Sequence, residues 1–212
     1  MSDNKVFINN LVNSLEEKPV LQHPAIRVLP YILIVTITAL IASFAFGIRS
    51  DGLTKINESS FLLENIFAYV ISISALISLS WLAIPDMREN KLPVIISSIL
   101  FASFLLLMMF RFITEGSGDA GVSHIYACGV QGGIIALISS FFSVLLIRKG
   151  YTTQPLLSSL MASIAGSMLG WAALRFICPL DSIGHAYILH FLPFVIIGFV
   201  LAVFSRKIFK AK

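Results

Sequence analysis

Two cysteines are the residues of this sequence best suited to chemistry, because each lies one helical turn from a cationic or imidazole side chain. His124 precedes Cys128 by four residues and Arg175 precedes Cys178 by three, so each pair would share one face of a helix. A nearby cation lowers the pKa of a thiol and increases the fraction of thiolate. These two pairs therefore predict reactive sulfur, which could undergo oxidation or bind a metal ion.

His185 and His190 extend this set, because they follow Cys178 and open the last apolar stretch of the sequence. Thiolate and imidazole together suit a thiophilic metal ion. Cys128 and Cys178 could instead form a disulfide. The alternative to both is that the cysteines are small packing residues and that the histidines and Arg175 are interfacial side chains.

The short motifs of common catalytic sites are absent from the sequence. It contains no CxxC, no HExxH, no Walker loop and no acidic pair inside an apolar stretch. We therefore expect no catalytic residues and no enzyme activity. A membrane thiol oxidoreductase would need quinone reactivity and would lack the usual CxxC.

Transmembrane helices are the elements that must position these side chains. The sequence is 57% hydrophobic and 12% charged, with a mean hydropathy of +0.91, whereas soluble domains contain roughly 45–50% apolar and about 25% charged residues. Apolar stretches of about 20 residues, the length that crosses a bilayer, occur six times. They cover residues 28–48, 62–84, 92–113, 122–147, 155–178 and 186–205. The predicted fold is an all-α polytopic membrane protein, a bundle of six transmembrane helices.

The distribution of Lys and Arg predicts the orientation of this bundle. Of the 15 Lys and Arg residues, only Arg49, Lys55, Arg111 and Arg175 lie on the side opposite the termini. Because cytoplasmic loops are enriched in these residues, both termini are expected in the cytoplasm. Both cysteines then lie near the outer face, which borders an oxidising compartment in a Gram-negative bacterium. The net charge of +4 reflects this topology rather than binding to nucleic acid.

Prolines and charges divide the chain further. Residues 1–27 form a cytoplasmic segment with a proline-containing tether, residues 28–205 the transmembrane domain, and residues 206–212 a basic cytoplasmic tail. Pro30, Pro93 and Pro155 fall at predicted helix starts, where a missing N–H costs nothing. Pro193 lies inside the last predicted helix, where it can cause a kink.

The N-terminal segment contains an amphipathic stretch between residues 3 and 17. A helix of about 14 residues is marginal alone in water, so its apolar face needs a surface to lie against. The membrane surface, the protein's own loops and the groove of another protein are the three candidates. The polar face carries few cations, whereas helices that bind a membrane surface usually carry several. A soluble protein therefore remains a candidate partner. The apolar residues expected to contact such a partner are Phe7, Leu11, Val12 and Leu15.

Small residues predict close packing between the fourth and fifth helices. They recur at spacings of three or four residues, a pattern that lets two helix backbones approach. The residues expected at this contact are Gly129, Gln131, Gly132, Gly166 and Gly170. Gln131 is expected to form a hydrogen bond across the helix pair rather than to face lipid.

The same polar residues allow a second interpretation, a small membrane transporter or channel subunit. Gln131, Arg175 and the glycines of the fourth helix would then line a path for a substrate. This interpretation predicts substrate flux in liposomes and no protein partner. An internal repeat would favour an inverted-repeat transporter, and we find none in the sequence.

The order of these features resembles the NrsF family of membrane-bound anti-sigma factors, named for negative regulator of sigma F. The resemblance covers nearly all of the 212 residues. It is carried by the leading segment 11–15 with Pro19, six spans, a cysteine early in the fourth span and Cys178-Pro179 at the end of the fifth. The tail then continues through His185 and His190 to the basic pair Arg206-Lys207.

This resemblance implies a bacterial inner-membrane protein that binds an extracytoplasmic-function sigma factor and keeps it from RNA polymerase. It also implies that a cysteine pair in the spans senses stress, and Cys128 and Cys178 are the matching positions. The expected function is therefore sequestration of the sigma factor at the cytoplasmic face, with release under redox or heavy-metal stress. The candidate ligand is a thiophilic metal ion, which would act as the stress signal. No direct contact with nucleic acid is expected. The oligomeric state stays open.

Overall fold

The computed structural model describes residues 22–84, 90–116, 125–148, 150 and 152–209. In that part of the chain, six helices are long and apolar enough to cross a membrane. They are α1 (Pro24–Phe46), α2 (Ser59–Leu82), α3 (Leu92–Glu115), α4 (Ile125–Arg148), α5 (Pro155–Ile177) and α6 (Ile183–Ile208). A one-turn helix, Gly52–Lys55, lies between α1 and α2. The predicted all-α bundle of six helices is confirmed.

The expected start of the first helix, with Pro30 in its first turn, is wrong. The helix begins at Pro24, the Nδ1 of His23 accepts a hydrogen bond from the Ala25 N–H at 3.3 Å, and Pro30 lies inside α1. The apolar pattern missed this start because Arg27 interrupts it, although the Arg27 side chain is buried and donates to the Ser80 carbonyl at 2.9 Å. Pro24 therefore belongs to the helix rather than to a tether.

Helix α5 is the centre of the bundle. Of its most apolar 18 residues, 78% are buried, compared with 17% in α3 and 22% in α6. It packs most extensively against α4 and α2 and also contacts α1 and α6. Its many small residues allow several neighbours to approach it, as expected for helix association in a membrane. Side chains at the ends of α5 are consequently held from several directions.

Glycine produces the close approach of α4 and α5. A Cβ added at Gly166 would lie 2.6 Å from the carbonyl oxygen of Ala136 and would overlap the hydroxyl of Ser140. Ser140 donates a hydrogen bond across the same contact to the Ala162 carbonyl at 3.3 Å. No side chain larger than hydrogen fits at Gly166 unless the two helices separate.

The remaining small residues are divided between two contacts. Gly170 lies against the Gly132 carbonyl, where an added Cβ would come within 3.1 Å. Gly129 lies instead against the Leu189 carbonyl of α6, where an added Cβ would come within 3.2 Å. Gln131 is partly buried. Between described residues, Ser140 rather than Gln131 donates a side-chain hydrogen bond from the middle of α4 to α5.

Candidate functional site

The two cysteines meet where α5 ends and α4 begins, a region called here the cysteine end of the bundle. Cys178 caps α5, with its N–H bonded to the Leu174 carbonyl at 2.8 Å, and Cys128 lies in the first turn of α4. Their Sγ atoms are 3.2 Å apart and both thiols are free. The exposed fractions are 5% for Cys128 and 1% for Cys178. Because α4 and α5 are consecutive antiparallel helices, the start of α4 lies beside the end of α5. Both sulfur atoms are therefore at the same depth in the bundle.

A π-helical turn brings the two histidines to the same place. In an α-helix, residues five positions apart point about 140° away from each other, because each residue turns by about 100°. The turn Ala186–His190 is π-helical and therefore wider, so the rings of His185 and His190 come together edge to face, with centroids 5.1 Å apart. Both rings are fully buried. The Nε2 of His185 lies 3.4 Å from the Cys178 sulfur.

Together these side chains form a group of metal-ligating atoms, which we call the Cys/His tetrad: Cys128, Cys178, His185 and His190. One ligand atom from each residue lies within 4.8 Å of the others. Among the described residues, Nδ1 of His185 and both ring nitrogens of His190 have no hydrogen-bond partner despite their burial. Buried polar atoms normally have partners. Two thiolates and two imidazoles are the donor set of tetrahedral zinc-type sites, so the residues fit a thiophilic ion.

The two thiols of the tetrad are not equivalent. Cys178 lies between α5 and α6, and the hydrogen bond that Cys128 donates to its sulfur lowers its pKa. Burial acts in the opposite direction, and the neighbouring imidazole of His190 adds to the lowering. The hydrogen bond from Cys128 thus favours the thiolate form of Cys178, which is the form that acts as a nucleophile and as a metal ligand.

Arg175 does not act as an exposed interfacial side chain. It is buried, its Nε lies 3.3 Å from the Glu64 carboxylate of α2, and its Nη1 lies 3.3 Å from Asp181. Glu64 in turn accepts a hydrogen bond from Arg111 of α3 at 3.0 Å. Ionisable groups inside a membrane pair with one another to offset the cost of desolvation. The cysteine end is therefore surrounded by a network of ion pairs.

Arg49 connects this network to the backbone beside the tetrad. It donates to the Cys178 carbonyl at 3.0 Å, to the Pro179 carbonyl at 3.3 Å and to both oxygens of Asp181. Its own N–H bonds to the Phe176 carbonyl at 2.9 Å. Arg49 thus fixes the segment that carries Cys178 to the loop after α1.

Asp181 is the acidic centre of this connection. Burial acts to raise its pKa, but the hydrogen bonds from Arg49 and Lys55, with the charge of Arg175, outweigh burial and lower the pKa to about 2. The pKa of Arg49 is raised in turn, most strongly by its hydrogen bond to Asp51 and then by its hydrogen bond to Asp181. Asp181 is accordingly ionised at any physiological pH.

Trp171 of α5 joins the ion-pair network to the tetrad. Its Nε1 donates to Glu64 at 2.9 Å, and its ring lies edge-on to the His190 ring with centroids 5.8 Å apart. The sequence interpretation missed this network. One signal could have revealed it, because Glu64, Arg111 and Arg175 occur at the same ends of three predicted spans and must neutralise one another there.

Several predicted residues lie outside the described part of the chain. They are the possible sensing residue His124 and the partner-contacting residues Phe7, Leu11, Val12 and Leu15. The described residues therefore carry four of the predicted sensing positions and Arg175, and they bring all five to the cysteine end.

Residues 11–210 match the NrsF family, described as negative regulator of sigma F. No curated protein and no solved structure matches the chain significantly. The matched range includes all six helices, the tetrad and the ion-pair network. The chain therefore belongs to the NrsF family of negative regulators of sigma F.

Proposed function

We propose that this protein is an integral membrane anti-sigma factor that holds an extracytoplasmic-function sigma factor at the cytoplasmic face. Release follows when the Cys/His tetrad on the outer side meets redox or heavy-metal stress. Family membership supports the anti-sigma activity. The observation that carries the sensing role is the buried group of two thiols and two imidazoles, whose ligand atoms lie within 4.8 Å of one another.

The N-terminal segment is the proposed contact with the sigma factor. Its apolar face, formed by Phe7, Leu11, Val12 and Leu15, needs a surface, and a groove on a soluble protein would supply one. The family match begins at residue 11 and so includes three of the four residues of this face. The excess of Lys and Arg on the side of the termini supports a cytoplasmic location for it.

A heavy-metal signal would use the whole tetrad. A divalent thiophilic ion binds two thiolates and two neutral imidazoles, so Cys128 and Cys178 each lose a proton on binding. No electrons are transferred in this route. The bound ion would join the start of α4, the end of α5 and the start of α6, and would fix their separation.

An oxidative signal would use only the two cysteines. Their thiols lose two protons and two electrons to an oxidant such as a peroxide, which is reduced, and a disulfide forms. The Sγ distance would shorten from 3.2 Å to the bonded length of about 2.05 Å, and rotation of the two side chains together with a shift of α4 against the end of α5 would supply the difference.

Either signal must stabilise one state of the bundle more than the other. A ligand that binds the holding and releasing states equally well shifts nothing. A tenfold weakening of sigma-factor binding requires about 1.4 kcal/mol of difference between the two states. Structural zinc sites bind with about 10–16 kcal/mol in total, so a small fraction of such an energy, if it differs between the two states, supplies this amount.

The test is sigma-dependent transcription in the host under cadmium and under the thiol oxidant diamide. Replacement of Cys128 and Cys178 by Ser should remove both responses, whereas His185→Gln with His190→Gln should remove the cadmium response and preserve the diamide response. His23→Gln, at the opposite end of the bundle, is the matched control and should keep both. Unchanged responses in the double Ser variant would contradict the sensing role.

A further inference from the structure

Helices α4 and α6 enclose a groove that runs along their shared outer surface in two parts. The part near the cysteine end is lined by Gly129, Gly133, Leu189 and Pro193 and by further apolar residues only. The part towards the opposite end has a volume of about 370 Å³ and is lined by Leu137, Phe141, Val144, Ile197, Leu201 and Ile208. This second part, called here the basic groove, also has Ser140, Arg148 and Lys207 in its lining.

The dimensions of the basic groove match one leaflet of a bilayer. Arg148 follows Leu137 by eleven positions, and Ile208 follows Ile197 by eleven positions, so each wall is about 16 Å long. The hydrocarbon core of a membrane is about 30 Å thick, and half of it is about 15 Å. Leu137 lies near the middle of α4 and Arg148 at its end, so the groove covers one half of a helix long enough to cross a membrane, which is the length that an acyl chain occupies.

Two cations mark the surface end of this groove. Arg148 and Lys207 lie in the last turns of α4 and α6, and both are exposed. No ion pair between described residues includes either of them. The ammonium of Lys207 lies above the Phe204 ring, 5.9 Å from its centroid. The apolar walls and the unpaired cations thus lie at the depths of a lipid tail and of its phosphate.

We propose that the basic groove is a binding site for one phospholipid with a net negative headgroup. The acyl chain would lie between α4 and α6, and the phosphate and headgroup charge would meet Arg148 and Lys207. Basic pockets between transmembrane helices bind anionic headgroups in this manner. The uncharged groove near the cysteine end offers a tail-binding surface on the same two helices without selection for headgroup charge.

The experiment uses the full chain, purified in detergent and incorporated into nanodiscs containing equal amounts of phosphatidylglycerol and phosphatidylcholine. Native mass spectrometry of the released protein measures the ratio of the two retained lipids. We expect phosphatidylglycerol to dominate. Each of Arg148→Gln and Lys207→Gln should reduce the ratio about fivefold, whereas Lys91→Gln, an exposed cation outside the groove, should leave it unchanged.

A second variant distinguishes a groove-bound lipid from simple attraction of charge. Leu201→Trp fills the groove and keeps both cations, so it should remove the preference for phosphatidylglycerol. If Leu201→Trp retains the preference, the headgroup alone is being attracted and the site is not a lipid groove. Equal retention of both lipids by the unmodified protein would also overturn the proposal, as would the same loss of preference in Lys91→Gln as in Arg148→Gln.

Discussion

Trp171 is a fluorescent side chain that contacts both parts of the cysteine end. Its indole N–H bonds to Glu64 in the ion-pair network, and its ring contacts His190 of the Cys/His tetrad. The chain contains only one other tryptophan, Trp81. That residue lies at the opposite end of the bundle, where its ring is edge-on to His23. Emission from Trp171 can therefore be isolated by one conservative substitution.

We predict that cadmium binding changes the fluorescence of a Trp81→Phe variant in detergent, because the His190 ring beside Trp171 becomes a metal ligand. The change should saturate at one ion per chain and coincide with the ultraviolet charge-transfer band of a cadmium thiolate. In the same background, His185→Gln with His190→Gln should remove the change. An identical titration in the variant lacking both cysteines would mean that cadmium binds elsewhere.

Asp181 gives a prediction on pH. Its pKa is lowered to about 2 from an ordinary value of 3.8, so the folded state favours the ionised carboxylate. The stabilisation is fully present above about pH 4 and disappears as the pH falls towards 2. Thermal unfolding in detergent should show a loss of stability over this range. In Asp181→Asn the loss should be smaller, and an unchanged pH profile in that variant would contradict the role of Asp181.

At the scale of elements, the contact between α4 and α5 depends on Gly166. We predict that Gly166→Ala destabilises the protein by about 1–3 kcal/mol, because the added methyl group meets the backbone of α4 and the helices must separate. The measurement is the thermal unfolding midpoint in detergent. Gly133→Ala is the control, since its added Cβ would make an ordinary contact of 3.6 Å with Pro193. An equal shift in both variants would indicate a general effect of glycine replacement.

The helices of this bundle could be predicted from the sequence, whereas several of their local features could not. Hydropathy located all six because the lipid-crossing length is a strong constraint. It missed the first turn of α1, where Arg27 is buried through a hydrogen bond to the Ser80 carbonyl 53 positions away. It also gave no indication of the π-helical turn Ala186–His190, because a single widened turn leaves the apolar pattern unchanged.

The candidate site was partly predictable for a similar reason. Cys128 and Cys178 could be paired because consecutive antiparallel helices bring the start of one beside the end of the next. The closeness of His190 depends on the π-helical turn, and the contacts of Arg49 depend on how the loop after α1 folds over Pro179. These contacts are tertiary, so neither spacing nor composition encodes them directly.

At the scale of the whole molecule, the proposed orientation gives a further prediction. In a background in which Cys128 and Cys178 are Ser, a Leu53→Cys variant carries its thiol at the cysteine end and an Asn90→Cys variant at the opposite end, both in exposed positions. A membrane-impermeant maleimide should label Leu53→Cys in intact spheroplasts. Asn90→Cys should react only after the membrane is opened. The reverse pattern would place the N-terminal segment outside and exclude its contact with a cytoplasmic sigma factor.

Helix α4 carries Cys128 in its first turn and Arg148 in its last, with 24 residues between Ile125 and Arg148 inclusive and so a length of about 36 Å. It is long enough to cross a membrane, so its two ends lie near opposite surfaces. A tilt of α4 caused by metal binding or oxidation at Cys128 would be opposed by a lipid bound at Arg148. On the proposed sensing scheme, the stress level that triggers release should consequently depend on the amount of anionic lipid in the host membrane.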